Sequence, residues 1–342
     1  MRRMMILVTL VAVLAACSSS GESGAPPSTT ASTTAPRCTK PVPTGLERID
    51  VTVGVTPRYA LVHIPTRWDG KTAVPVVLSF HGLGSAADQQ RTNDGFVAKS
   101  DEQSFIVVHP QAGGTLGNLG AAWNLDGTSE VDYVTALLDD LEGRTCVDPS
   151  RVYATGLSYG GAMTDLLACN MADRIAAAAP VSAYLPKIPC KPSRPVPMIS
   201  FHGVEDELLP YDGGGRSSQV PFEAWGSDWA KRNGCRGAAK ERQYEPTVEE
   251  LAYSGCEQPV DLYRVHENGH TWPGHPLGMD RAVLVDYFSG KTTGQPFPLM
   301  VTLGLTPEAF ADTISLANQD IDASGMILAF FEQHALAGST KG

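Results

Sequence analysis

Gly156-Leu157-Ser158-Tyr159-Gly160 is the only G-x-S-x-G in the chain, and its flanks carry more meaning than the pattern. The apolar run Val152–Thr155 leads in and the small-residue helical stretch Gly160–Asn170 leads out. Strand, sharp turn and helix in that order make an elbow that lifts a serine hydroxyl above a sheet. A serine hydroxyl is a poor nucleophile at neutral pH without an oriented base, and the base is oriented by a carboxylate. On such elbows the acid and then the histidine follow the serine in the chain. After the apolar strand Val196–Phe201, two acids stand at the mouth of a loop, Glu205 and Asp206. Asp206 fits the strand-end position and Glu205 reads as its solvated neighbour. His270, in Gly269-His270-Thr271-Trp272-Pro273-Gly274, lies on a loop just past the last strand, where the base belongs. His266 ends that strand, His334 falls in the final helix, and His275 sits in a proline-flanked turn.

Acyl transfer also needs N–H donors for the oxyanion that develops, worth about 3 kcal/mol each. The backbone N–H of Tyr159 is one candidate. The second comes from the loop after Val74–Phe80, His81-Gly82-Leu83-Gly84, where Leu83 or Gly84 offers its N–H and His81 fixes the loop. Trp123 and Trp272 are candidate substrate contacts, able to stack on an aromatic acyl group or a sugar, but core burial is the first reading for any single tryptophan.

These residues need a scaffold. Ile49–Val55 and Arg58–Ile64 read as an opening antiparallel pair, and Val74–Phe80 and Phe105–His109 as strands buried on both faces. Helices over Asp132–Leu141, Gly160–Asn170, Phe222–Arg232 and Ala323–His334 alternate with strands at Val152–Thr155, Ala176–Val181, Val196–Phe201 and Val260–Val265. The alternation predicts one α/β domain, a mostly parallel sheet with helices on both faces. Pro276–Asn318 is too long for a simple connection and reads as an insertion near the active-site rim, or a lid.

HGLGS, CVDPSRVYATGLSYGGAMTDLLAC, SFHGVEDELLPY, GHTWPG and ASGMILAFFEQH together resemble the polyhydroxybutyrate depolymerase and feruloyl esterase group of secreted α/β-hydrolases. The resemblance runs from about Arg48 to Ala335. It implies Ser158 as nucleophile, Asp206 as acid and His270 as base in ester hydrolysis, with no metal or organic cofactor. It also implies that Trp123 lies near the substrate. Pro276–Asn318 departs from the compact members of that group. Two other readings stand beside it: a lipid-anchored solute-binding protein, and a catalytically inactive hydrolase serving as a surface ligand. The first would not need the serine, acid and histidine in order; the second would normally lose one of them or the oxyanion loop, and all are present.

The rest of the chain speaks of location. Arg2 and Arg3 precede an apolar run from Met4 to Ala16, too short to span a bilayer. With Leu14-Ala15-Ala16-Cys17 this has the order of a bacterial lipoprotein signal, giving a removable segment 1–16 and a lipidated Cys17. Residues 17–36 follow as a Ser/Thr/Pro tether without a large apolar side chain, and the domain occupies 37–342. The lipid would be the only link to the membrane, and the protein would work outside the cytoplasm, at the envelope or released. Six cysteines then remain, an even number suited to an oxidising compartment. Cys235–Cys256 flank one short strand-like stretch and are paired first; Cys169–Cys190 and Cys38–Cys146 follow. Their spacing is wrong for a zinc site. The 26 Lys and Arg against 37 Asp and Glu give −11, or −13 once Arg2 and Arg3 are removed, which argues against a nucleic-acid partner.

Overall fold

The computed structural model describes residues 44–125, 128–186, 189–214, 219–276 and 280–337, which fall within one compact unit, Ala35–Gly342. The predicted signal over 1–16, Cys17, the predicted tether over 17–36 and Cys38 lie outside the described residues.

The opening strands β1 (Gly45–Val53) and β2 (Thr56–Ile64) form a hairpin that turns at Gly54. Next come β3 (Val74–Phe80), helices α1 (Ala87–Asn93) and α2 (Phe96–Gln103), and β4 (Ile106–Pro110). A small hairpin, β5 (Gly114–Thr115) and β6 (Ala121–Ala122), encloses a 3-10 turn at Gly117–Leu119. Helix α3 (Ser129–Arg144), β7 (Val147–Leu157), α4 (Tyr159–Asn170), β8 (Ala177–Val181), β9 (Met198–Gly203) and α5 (Phe222–Arg232) follow. The chain then adds β10 (Lys240–Glu245), β11 (Val248–Ala252) and β12 (Val260–Val265), helices α6 (Arg281–Phe288), α7 (Pro298–Leu303) and α8 (Pro307–Ser315), and closes on α9 (Ala323–Phe331).

The main sheet runs β1-β2-β4-β3-β7-β8-β9-β12-β11-β10. Its six central strands, β4 to β12, are parallel, and an antiparallel pair flanks them at each edge. Alternation along the strands divides the core in two. Val76 and Leu78 face the side covered by Leu137 of α3, Met163 of α4 and Trp225 of α5. Val77 and Val107 face Phe96 of α2 and Ile327 and Phe331 of α9. A buried strand must be apolar on both faces, which is why β3 and β4 read as unbroken apolar runs.

Segment 276–318 carries α6, α7 and α8 around a third, separate cluster of Leu284, Phe288, Met300 and Phe310. Leu208 and Leu209, from the loop after β9, complete that cluster, so the segment is built onto the acid loop. Disulfides join Cys169 to Cys190 and Cys235 to Cys256. Cys146 is disulfide-bonded as well.

Candidate active site

Ser158 stands between the end of β7 and the start of α4 with φ 60° and ψ −119°, a strained conformation for a residue with a side chain. Its backbone is held on all sides. The N–H donates to Val181 O at 3.0 Å, and the carbonyl accepts from Gly161 N and Tyr184 N at 2.9 Å each. The flanking glycines are obligatory here. A Cβ on Gly160 would lie 2.0 Å from Phe80 O, and one on Gly156 would lie 2.6 Å from Gly160 O. The tight crossing of β7, α4 and β3 is what exposes the hydroxyl.

The loop after β3 runs beside it: a Cβ on Gly82 would be 3.3 Å from Ser158 Cβ. His81 fixes this loop from within the core. Its Nδ1 donates to Gly82 O at 2.7 Å, and its Nε2 accepts from Ala112 N at 3.1 Å. Burial pushes the His81 pKa down to about 4, so the ring is neutral, as an Nε2 acceptor must be. Gly84 does not suit the oxyanion role proposed for it, because its N–H is spent on Ala121 O at 2.8 Å. Leu83 N–H has no acceptor among the described residues and is the donor that remains.

Asp206 and His270 come together from two loops. His270 Nδ1 lies 2.7 Å from Asp206 Oδ2, and the carboxylate's other oxygen accepts the N–H groups of Leu208 and Leu209 at 3.0 and 2.8 Å. The Asp206 side chain is fully buried, so three donors replace the water it has lost. With Nδ1 committed to the acid, Nε2 is the nitrogen left to take a proton. No hydrogen bond joins Nε2 to Ser158 Oγ among the described residues; in the absence of substrate such contacts are often long.

The other sequence candidates go elsewhere. Glu205 accepts the Asn268 N–H at 3.3 Å and steadies the loop crossing. His266 pairs with Glu249 and His275 with Asp322. Trp123 is a correction: it is 2% exposed, packs edge-on against Phe80, and donates its indole N–H to His81 O at 2.8 Å. It therefore braces the loop after β3 from its buried side. Trp272 is equally buried, its N–H on Ser324 Oγ at 2.8 Å and its ring edge-on to Phe96. Both indoles find a polar partner inside, so burying the ring costs no hydrogen bond.

Three contributors were not among the sequence candidates, although His202 stands within the SFHGVEDELLPY stretch. His202, fully buried, donates from Nε2 to Leu209 O at 2.8 Å and so shapes the acid loop, and burial lowers its pKa. Thr313 of α8 bonds both the loop of Asp206 and the loop of His270. Tyr184 stacks on Tyr159 with ring centres 5.7 Å apart, next to Ser158. No group of three or more His, Cys, Asp or Glu among the described residues is arranged to hold a metal. A cavity of about 620 Å³ lined by Trp68, Phe105 and Tyr153 lies at the opposite end of the strands from Ser158.

A serine elbow, an acid after β9 and a histidine after β12, on a parallel sheet covered on both faces, define an α/β-hydrolase. The model of the prolyl oligopeptidase family matches residues 96–185, the stretch that contains the elbow. The chain is 31% identical over 243 residues to feruloyl esterase B of Piromyces equi, covering 65% of this chain and 44% of that one. It is 25% identical to a probable feruloyl esterase C of Aspergillus terreus, covering 68% of this chain and 84% of the relative. Among solved structures, an acetyl xylan esterase from Aspergillus awamori superposes with a TM-score of 0.51 at 15% identity, over 66% of this chain and 94% of that one. The fold is thus shared with esterases, and the likeness in sequence is to the feruloyl esterase type.

Proposed function

We propose that this protein is a serine carboxylic-ester hydrolase acting through an acyl-enzyme, on esterified polysaccharide or polyester outside the cytoplasm. The observation that carries the reading is the 2.7 Å bond between His270 Nδ1 and a fully buried Asp206, beside a serine on a strained elbow. Ser158 Oγ attacks the ester carbonyl carbon while His270 Nε2 takes the hydroxyl proton, and Asp206 stabilises the imidazolium. The carbonyl π electrons move onto oxygen, held by the N–H groups of Tyr159 and Leu83. When the tetrahedral centre collapses, the C–O bond of the ester breaks and the departing alcohol takes the proton from Nε2. Water then attacks the acyl-enzyme, gives its proton to Nε2, and Ser158 recovers that proton as the acid leaves.

Feruloyl and acetyl esters are the favoured substrates because those are the activities named for the relatives. Hydroxyalkanoate polyester is the finer alternative, resting on the motif resemblance alone. Work outside the cytoplasm is supported by the disulfides Cys169–Cys190 and Cys235–Cys256. Lipidation of Cys17, a tether over 17–36 and removal of 1–16 belong to the same reading and rest on the order of residues at the N-terminus.

A fluorophosphonate probe tests the chemistry. It is expected to label the wild-type protein and not Ser158→Ala, which should also lose about 10⁴-fold or more in kcat. Absence of labelling, or labelling that persists in Ser158→Ala, returns the protein to the solute-binding or inactive-ligand readings. Comparing kcat/KM on aryl, hydroxycinnamoyl, acetyl-xylan and short hydroxyacid esters then selects the substrate class.

A further inference from the structure

Helix α8 ends against the loop that carries His270. The last carbonyls of a helix have no partner within it, and here that loop supplies them. Thr313 O accepts the His270 N–H at 2.6 Å, and Leu316 O, at the C-cap, accepts the Gly269 N–H at 2.8 Å and the Thr271 hydroxyl at 3.0 Å. The approach is so close that a Cβ on Gly269 would lie 2.1 Å from Thr313 O.

The Thr313 side chain reaches the other loop as well. Its Oγ1 accepts the Glu207 N–H at 3.2 Å, lies 3.3 Å from His270 N, and donates to Glu205 O at 3.5 Å. One buried hydroxyl thus bonds the residues on either side of Asp206 together with the backbone of His270. Asp206 and His270 are 64 residues apart and on separate loops. Their 2.7 Å bond depends on the relative position of those loops, which Thr313 spans.

We propose that Thr313 is a positioning residue for the acid–base pair, so that the end of helix α8 acts as a clamp on the reacting groups. The inference rests on the reading of Ser158, Asp206 and His270 as the catalytic set. Thr313→Val keeps the shape of the side chain and removes the hydroxyl, whereas Thr313→Ser keeps the hydroxyl. Loosening of a catalytic pair by a fraction of an ångström should lower kcat about 10- to 100-fold in Thr313→Val, with KM within about twofold of wild type. Thr313→Ser should recover kcat to within about threefold. Thr306→Ala, which removes the hydroxyl that caps the other end of α8, controls for simple loss of helix stability. It should lower Tm and leave kcat within about twofold. An unchanged kcat in Thr313→Val, or an equal loss of kcat in Thr306→Ala, overturns the clamp. If Thr313→Val does not fold, Thr313→Cys is measured against the same limits. Hydrolysis that survives Ser158→Ala overturns the underlying serine reading, and it is scored independently of every Thr313 variant.

Discussion

Asp206 orients His270 through which proton sits where, and that can be tested without disturbing the fold. Asp206→Asn keeps the shape of the side chain. Leu208 N–H and Leu209 N–H point at one oxygen, so the amide oxygen should turn toward them and its NH₂ toward His270 Nδ1. The histidine would then keep its proton on Nε2 and be unable to accept one from Ser158. Single-turnover kinetics should show a loss of about 10⁴-fold with the Tm nearly unchanged. Trp123 separates two roles in a similar way. Trp123→Phe leaves His81 O without its indole donor, at a cost of about 1–3 kcal/mol in a denaturant melt. KM for a hydroxycinnamoyl ester should stay within about twofold, since the ring is buried behind the loop; a large rise in KM would restore it to the substrate site. The elbow at Ser158 was legible because its glycines and flanking apolar run are local. Gly84 was misread because its N–H is taken by Ala121, 37 residues away, a contact no spacing reveals.

At the scale of elements, the elbow depends on three backbones crossing where no Cβ fits. Gly160→Ala would set a methyl 2.0 Å from Phe80 O, a rigid backbone atom. The variant should lose more than about 3 kcal/mol in denaturant unfolding, and any folded fraction should react slowly with the fluorophosphonate because Ser158 has been displaced. Most strands could be read from their apolar runs, whereas β10 could not: Lys240–Glu245 is exposed at every position. It is an edge strand, and charged side chains there guard against pairing with another chain. Helices α1 and α2 also escaped, being short and lacking side-chain N-cap bonds. The segment 276–318 was visible as an excess of chain. Its attachment to Leu208 and Leu209 was not, because the cluster joins residues about a hundred positions apart.

For the whole molecule, the half-buried Asp261 and the buried His81 set opposing responses to pH. Burial raises the pKa of Asp261 on β12 from 3.8 to about 6, with Arg242 pulling the other way. Between those values the folded chain holds a proton that the unfolded chain has released, so stability from this group is lost as pH rises through 6. His81 runs in reverse. Its folded pKa, lowered to about 4, leaves the unfolded chain to take up a proton below 6.5, so stability is lost as pH falls from 6.5 toward 4. Asp261→Asn removes one of the two. It should exceed wild type by about 1–2 kcal/mol at pH 7.5, after discounting for partial exposure, and match it near pH 4. Denaturant unfolding at both values decides it; an equal gain at both would trace to shape and not charge.

Sequence by itself determined what depends on neighbours in the chain. The serine on its elbow, the order of acid and histidine, and the apolar strands all follow from local spacing and from burial on two faces. Tertiary structure decided that the Gly84 N–H is already bonded, where the two tryptophans point, and that Asp206 lies against His270. Each of those is settled by a contact between distant residues. A backbone donor, an indole or a hydroxyl is the same in any sequence until the fold assigns its partner.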